Sequence, residues 1–171
     1  MSREIKLGVV GFGRRGSSMA DICNGFEHVK LTAVCDNSAE ALSNAANKYP
    51  DAKQYGNFEQ MLKSSGINAV LVETPGDNHA RFCAMSLERD IHVFSDIPSV
   101  NSLEEADMLW KAAATSKAMF MTGANPNFWG FNAPSPVSLR EGLRMTLPGI
   151  FANESASCEG KTVRISYPWE K

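Results

Sequence analysis

The chain has 171 residues, of which 43% are hydrophobic and 21% are charged, and its formal net charge is −2. This length allows one domain with its own core, or one domain and an appendage, without disulfides or a metal to stabilise it. The slight acidity argues against nucleic acid as a partner, and without an apolar run of about 18 residues neither a membrane span nor a membrane partner is expected.

The N-terminal residues lead into a first apolar strand without the core of a signal peptide, so we expect a cytoplasmic protein. That strand enters a turn with the G-x-G-x-x-G pattern of Gly11, Gly13 and Gly16. In a dinucleotide site the first glycine permits the tight turn, the second lets the backbone approach a pyrophosphate, and the third lets the next helix pack closely on the strand. The pyrophosphate then lies on free N–H groups at the positive end of that helix.

Asp36 extends this pattern. It stands 20 residues after Gly16, at the end of the second apolar run, where a carboxylate can accept hydrogen bonds from the adenosine ribose hydroxyls. Glycine triplets also occur in ordinary turns, so the prediction of a dinucleotide site depends on the whole succession of strand, glycine turn, helix, strand and terminal acid.

Helical and strand patterns alternate through the first 124 residues. Helices are predicted at about residues 14–24, 38–49, 58–63, 78–89 and 102–115. Strands are predicted before the glycine turn and at about residues 29–35, 52–55, 68–73, 91–95 and 118–122. This alternation implies a mainly parallel sheet with right-handed crossovers. Six strands with the glycine turn after the first predict a Rossmann-type doubly wound α/β fold.

Two serines are predicted to begin helices. Ser38 is the expected N-cap of the second helix. Ser102 and Glu105 have the spacing of a capping box at the start of the fifth. In the fourth helix we expect Phe82, Met85 and Ala84 to be buried.

The composition changes after residue 124. Residues 125–137 have the composition of a linker loop, and residues 138–171 form a separate C-terminal segment. In that segment a helix is predicted at 138–159, with a kink or break at Pro148-Gly149. A short last strand is predicted at 162–167.

Several stretches together resemble the Gfo/Idh/MocA family of nicotinamide-dependent oxidoreductases. They are the Gly11–Gly16 turn with Asp36, Thr74-Pro75 followed by His79, Asp96-Ile97-Pro98, and Gly123-Ala124-Asn125. Members of this family usually continue into an open-faced α/β domain that shapes the substrate site. Here the C-terminal segment resembles the closing helix and strand of such proteins, as if the substrate domain were missing. The alternative is that this segment is an unrelated appendage.

The resemblance implies a cofactor site made by the glycine turn and by later strand ends. Its residues are Gly11, Phe12, Gly13, Arg14, Arg15, Gly16, Asp36, Thr74, Pro75, His79, Asp96 and Asn125. Thr74, His79 and Asp96 are expected near the nicotinamide end. The alternative for Thr74-Pro75 and His79 is structural, since they can simply end a strand and cap a helix. Asp36 would repel a 2′-phosphate and favours NAD, whereas Arg14 leaves NADP as the alternative.

The usual Glu-Lys-Pro triplet of the family is replaced by Asp96-Ile97-Pro98. Ile97 can neither donate nor accept a proton, so that position has no general acid or base, and no catalytic residue is assigned. The first hypothesis is an oxidoreductase with a sugar- or polyol-like substrate. The others are a non-catalytic NAD-binding or assembly module and a relative of NAD-dependent glycosidases.

Two further expectations concern metals and partners. Three histidines and four scattered cysteines show no spacing typical of metal ligands or redox pairs, so no metal is expected. Phe128, Trp129 and Phe131 follow the predicted sixth strand, and exposed aromatic residues cluster at interfaces. We expect them under the C-terminal helix or against a second copy in a homo-oligomer.

Overall fold

The computed structural model describes residues 4–123 continuously and, beyond them, residues 140, 143, 144, 147, 148, 150, 151, 165 and 167–170. One six-stranded sheet spans the continuous part. Its strands are β1 (Ile5–Val10), β2 (Val29–Cys35), β3 (Lys53–Tyr55), β4 (Ala69–Val72), β5 (His92–Ser95) and β6 (Phe120–Thr122). Every neighbouring pair is parallel, in the order β3-β2-β1-β4-β5-β6. The predicted Rossmann-type doubly wound fold is confirmed.

Five helices connect the strands. They are α1 (Arg14–Asn24), α2 (Ala39–Lys48), α3 (Phe58–Ser64), α4 (His79–Leu87) and α5 (Leu103–Thr115). A 3₁₀ turn, Gly76–Asn78, precedes α4. None of the helices in the described part of the chain has both the length and the hydropathy that crossing a membrane requires.

Both predicted serine caps are confirmed. The Ser38 hydroxyl accepts a hydrogen bond from the Ala41 N–H at 3.2 Å, and the Ser102 hydroxyl accepts one from the Glu105 N–H at 3.2 Å. The Glu105 carboxylate accepts its bond from the N–H of Asn101 at 2.6 Å, one residue earlier than in a standard capping box.

The fourth helix differs from its prediction. It ends at Leu87, and its fully buried apolar side chains are those of Ala80, Cys83, Ala84 and Leu87. Phe82 and Met85 are only half-buried. Phe82 packs on the rim of the core against Phe58 of α3, with 4.5 Å between ring centroids, and it also borders a cavity that leaves it partly exposed.

The sheet is covered on both faces by two apolar clusters. Val9 packs with Ala20 of α1 and Ala45 of α2 in one of them. Its neighbour Val10 points to the other, where α4 and α5 contribute Leu87 and Leu109. Adjacent residues of one strand therefore belong to opposite cores, as the pleat of a doubly covered parallel sheet requires.

The C-terminal segment packs on the α4/α5 side. Leu143, Leu147 and Phe151 are helical, buried and part of the same apolar cluster as Leu109. Their spacing of four residues places them on one helix face. Pro148 is also helical, whereas Gly149, and with it the predicted kink, lies outside the described residues.

The end of the chain does not form the predicted strand where it is described. Ile165 and Tyr167 lie in no strand, and Pro168–Glu170 form a 3₁₀ turn. Tyr167 stacks on Trp169, with centroids 4.8 Å apart, and Trp169 contacts Trp110 of α5 at 5.2 Å. Aromatic packing on α5 therefore shapes this end of the chain. The linker at 125–137, with Phe128, Trp129 and Phe131, lies outside the described residues, and the domain boundaries stay predictions.

Leu147→Ala tests whether the C-terminal segment stabilises the sheet domain. Leu147 has no exposed surface, so its truncation should lower the free energy of unfolding by about 2–5 kcal/mol. Urea denaturation of the full chain measures this change. Ile22→Ala is the matched control, because Ile22 is 59% exposed and its truncation should cost less than about 0.5 kcal/mol. Equal stability of wild type and Leu147→Ala would contradict the packing.

Candidate functional site

The candidate site lies at the carboxyl ends of β1 and β4, where the strand order reverses and doubly wound sheets bind their ligands. Gly11 follows β1 with φ at +86°, a conformation that L side chains rarely adopt. A Cβ at Gly11 would lie 2.7 Å from the carbonyl carbon and oxygen of Glu73, and one at Gly16 would lie 1.9 Å from the Gly11 oxygen. Both glycines are therefore required by close backbone packing, as predicted.

Gly13 is different. A Cβ at this position would meet no atom within 4 Å, so its backbone faces open space. Gly13 is also the N-cap residue of α1, and no side chain caps that helix end. The first-turn N–H groups of α1 are thus left for an external acceptor such as a phosphate oxygen.

Asp36 lies beside this turn and organises its backbone. One carboxylate oxygen accepts a hydrogen bond from the Phe12 N–H at 2.6 Å, and the other accepts one from the Ser38 N–H at 2.8 Å. Each oxygen keeps a further lone pair for a ligand hydroxyl. The Phe12 side chain is buried and packs edge-on against Tyr49 at 6.1 Å. Phe12 can therefore reach a ligand only through its backbone.

Asp36 borders two cavities. The one of about 430 Å³ also contacts Gly13, Arg14 and Ser38. The other, of about 420 Å³, extends from Gly11 and Asp36 past the carboxyl ends of β3 and β4. Its further lining includes Asn57, Thr74, Pro75, Asn78 and Arg81.

Three of these lining residues were not predicted: Asn57, Asn78 and Arg81. Asn57 follows β3 and caps α3 by accepting a hydrogen bond from the Gln60 N–H at 3.0 Å. Its place after a strand of a parallel sheet is a signal that sequence reasoning could have used. Arg81 carries no comparable signal, since an exposed arginine on a helix is common.

Arg15, in the first turn of α1, contacts acids that follow β4 and β5. Its guanidinium makes two contacts to Asp96 after β5, from Nε to Oδ2 at 2.5 Å and from an Nη to Oδ1 at 2.8 Å. The same Nε lies 3.2 Å from Oε2 of Glu73, which follows β4. The Glu73 side chain is fully buried, and neither of its oxygens accepts a hydrogen bond. Arg15 is thus paired well with Asp96 and incompletely with Glu73.

This environment raises the pKa of Glu73 to about 6. Burial is the main cause, and the negative charge of Asp96 adds to it. Arg15 and His79 act in the opposite direction without cancelling those effects. Glu73 was not predicted as a site residue, because the sequence pattern at the end of a strand does not show whether an acid there is buried.

His79 is buried at the start of α4. Its Nδ1 lies 2.8 Å from the Pro98 carbonyl oxygen, and its Nε2 lies 2.6 Å from the Thr74 carbonyl oxygen. The ring thus lies between the backbone segments on either side of the crevice, where a ring N–H can donate to a carbonyl oxygen. The Thr74 hydroxyl is buried and has no hydrogen-bond partner, which leaves it available to a ligand.

Ile97, which stands where the family that this sequence resembles usually has a lysine, is open to solvent. The Ile97 side chain is 56% exposed, next to Asp96 at the crevice. Asn125 lies outside the described residues. Over the chain that the structure describes, no group of three His, Cys, Asp or Glu side chains is arranged to hold a metal ion.

The glycine turn, the strand order and the acid after β2 agree with a comparison to known families. Residues 5–124 match the model of the Gfo/Idh/MocA oxidoreductase family, NAD-binding Rossmann fold. The chain belongs to this family. It therefore contains a dinucleotide-binding Rossmann domain of the oxidoreductase type.

Solved structures and curated relatives agree with that assignment. Scyllo-inositol dehydrogenase from Lactobacillus casei, with bound NAD(H) and scyllo-inositol, is 26% identical with a TM-score of 0.68 over 75% of this chain and 38% of that one. Myo-inositol 2-dehydrogenase from Lactobacillus plantarum shares the fold at 22% identity, with a TM-score of 0.70 over 75% of this chain and 38% of that one. A glycosyl hydrolase family 109 protein from Saccharopolyspora erythraea is 29% identical over 66% of this chain and 26% of its own length. The chain thus spans between a quarter and two fifths of these relatives.

The Glu73 carboxyl should make stability depend on pH. A glutamate whose pKa is raised by folding stabilises the native state at low pH, and this contribution is lost as pH rises from about 4.5 through about 6. Glu73→Gln has no charge at this position. Its free energy of unfolding should therefore exceed that of wild type by about 2 kcal/mol at pH 7.5, and this difference should vanish near pH 4.

Urea denaturation at intervals between pH 4 and pH 8 measures this difference. Glu27→Gln is the control, because Glu27 is exposed and lies just before β2, at the edge of the sheet opposite the site. A constant difference between wild type and Glu73→Gln at every pH would contradict the assignment.

Proposed function

We propose that this chain binds a nicotinamide dinucleotide across the carboxyl edge of its sheet. The observation that carries the proposal is the open Gly13 backbone at the uncapped start of α1, beside the Asp36 carboxylate. The pyrophosphate lies on the N–H groups of this turn. The adenosine ribose bonds to Asp36, and the nicotinamide end lies toward Thr74 and Asp96.

NAD is the proposed cofactor, in preference to NADP. A 2′-phosphate would add negative charge next to the Asp36 carboxylate, whose two oxygens are held in place by the N–H groups of Phe12 and Ser38. Arg14 borders the same 430 Å³ cavity and offsets part of that repulsion. The relative with bound NAD(H) supports the same choice.

The activity proposed is that of an oxidoreductase acting on a sugar- or polyol-like substrate. The inositol dehydrogenase among the solved relatives supports this substrate class. When bound, the cofactor supplies hydride transfer, and the protein supplies position and exclusion of water. Thr74 offers a buried hydroxyl to the ligand, and His79 fixes the two backbone segments that border the crevice. Ile97 moves no proton, so the proton acceptor for the substrate hydroxyl is a group other than this residue.

Two other functions have specific support. The 29% identical relative is named a glycosyl hydrolase family 109 protein, which favours a glycosidase relative. The exposed Ile97 favours a dinucleotide-binding module without catalysis.

Incubation with NAD and a panel of inositols, sugars and aryl glycosides separates the three proposed functions. NADH formation supports the oxidoreductase, glycoside cleavage supports the glycosidase, and cofactor binding without either supports the module.

Gly13→Ala tests the placement of the pyrophosphate. An added methyl group meets no protein atom, so the thermal unfolding midpoint should not change, whereas NAD affinity should fall at least tenfold because the methyl group enters the phosphate's place. Calorimetric titration measures the affinity. Ser18→Ala, on an exposed position of the same helix, should bind NAD like wild type. Unchanged affinity in Gly13→Ala would place the pyrophosphate elsewhere, and a wild type that binds neither NAD nor NADP at millimolar concentration would refute the proposal.

Asp36→Asn tests the source of cofactor preference. It removes the negative charge and keeps one oxygen acceptor, so the ratio of NAD to NADP affinity should fall about tenfold, or 1.4 kcal/mol. The ratio compares two ligands on one variant, so a general weakening of the site cancels. Asp51→Asn, an equal change of charge at an exposed position, should leave the ratio as in wild type. An unchanged ratio in Asp36→Asn would show that Asp36 does not select the cofactor.

A further inference from the structure

The group formed by Arg15, Glu73 and Asp96 is not explained by holding the pyrophosphate or the adenosine. It contains the guanidinium of a residue in the first turn of α1 and two carboxylates that follow β4 and β5. Arg15 makes a two-point contact with Asp96, so the charge of that carboxylate is largely compensated. Glu73 has a single contact, at 3.2 Å, and no hydrogen bond to either oxygen.

The remaining surroundings of Glu73 leave its charge only partly compensated. The titratable groups that face it are Arg15 on α1, Asp96 after β5, His79 on α4 and Cys23 on α1. Both ring nitrogens of His79 are directed at backbone carbonyl oxygens, so His79 makes no hydrogen bond to Glu73. Because the Glu73 side chain has no exposed surface, water screens its charge weakly.

We propose that Glu73 makes the site discriminate between the two redox states of the cofactor, favouring the oxidised form. The oxidised nicotinamide ring carries a positive charge, and the reduced ring is neutral. A buried negative charge near the nicotinamide end attracts the first and leaves the second unaffected. This inference rests on the proposed function, which places the nicotinamide toward Asp96, the residue that shares Arg15 with Glu73.

The two redox forms of the cofactor are chemically identical except in the nicotinamide ring, so their affinities can be compared directly. Repulsion between Glu73 and the pyrophosphate acts on both forms equally and cancels in the ratio of their dissociation constants. The same cancellation applies to changes in the adenosine cavity. The ratio of NADH to NAD⁺ dissociation constants therefore isolates the charge near the ring.

The experiment measures both dissociation constants at pH 7.5 for wild type and three variants of the full chain. NAD⁺ is titrated by calorimetry and NADH by its fluorescence. Glu73→Gln should shift the ratio of affinities toward NADH by about three- to tenfold, chiefly through weaker NAD⁺ binding. Glu73→Asp keeps the charge and should retain most of the wild-type ratio. Glu27→Gln makes the same charge change at an exposed position just before β2, at the amino edge of the sheet, and should leave the ratio unaltered.

A second measurement follows the same ratio over a range of pH in wild type and in Glu73→Gln. Because the pKa of Glu73 is about 6, the preference for NAD⁺ should decrease as pH falls from 7.5 to 5.5, and this decrease should be absent in Glu73→Gln. If Glu73→Gln folds poorly, Glu73→Met, a neutral side chain of similar length, takes its place in this comparison.

The outcomes separate this inference from the function on which it rests. If both forms bind and Glu73→Gln has the wild-type ratio, Glu73 does not select the redox state and the proposed cofactor site stands. A ratio that shifts equally in Glu73→Gln and Glu27→Gln would assign the effect to net charge and overturn the inference. If neither form binds to wild type, the cofactor site is wrong and the inference fails with it.

Discussion

The close contact between the glycine turn and the end of β4 is the constraint on which the site depends. Gly11 and Gly16 bring β1, α1 and β4 together so tightly that a single methyl group at either glycine would overlap backbone atoms. This contact fixes the direction of α1, and with it the N–H groups beside Gly13. It also buries the side chain of Glu73 directly beneath the helix, since Glu73 Cβ would lie 3.4 Å from a Cβ at Gly16. The phosphate turn and the buried acid are consequences of the same packing.

The sequence pattern was sufficient for the fold and for the parts of the site that are local in the chain. Strand and helix periodicity predicted six strands in a mainly parallel sheet and the serine caps, because each depends on residues a few positions apart. The pairing of Arg15 with Asp96 joins residues 81 positions apart, and no periodicity indicates which side chains meet across a sheet edge. Burial is equally non-local. Phe82 was predicted in the core, but the cavity beside α3 leaves its face half-open.

The C-terminal segment illustrates a different limit. The spacing of Leu143, Leu147 and Phe151 is enough to predict that they share a helix face. It does not show that this face packs in the same apolar cluster as α5. The alternation at 162–167 predicted a strand, yet a strand needs a neighbouring edge to pair with. Trp169 instead contacts Trp110 and the guanidinium of Arg140, which lies 5.1 Å from the ring centroid of Trp169. Aromatic and cation–π contacts on a helix surface here take the place of sheet hydrogen bonds.

The two adjacent arginines of the glycine turn have separate physical roles. The Arg15 side chain is 55% exposed, but its guanidinium contacts Asp96 and Glu73, so its positive charge is already matched by carboxylates. Arg14 is exposed and borders the cavity that Asp36 and Ser38 also line. In the proposed site, a phosphate at this turn would contact backbone N–H groups and Arg14, while Arg15 would limit the repulsion from the acids beneath. Because Asp96 takes the better contacts of Arg15, the remaining negative charge resides on Glu73, whose side chain has no exposed surface. In the proposed site, such an arrangement would act on the charge of the bound cofactor.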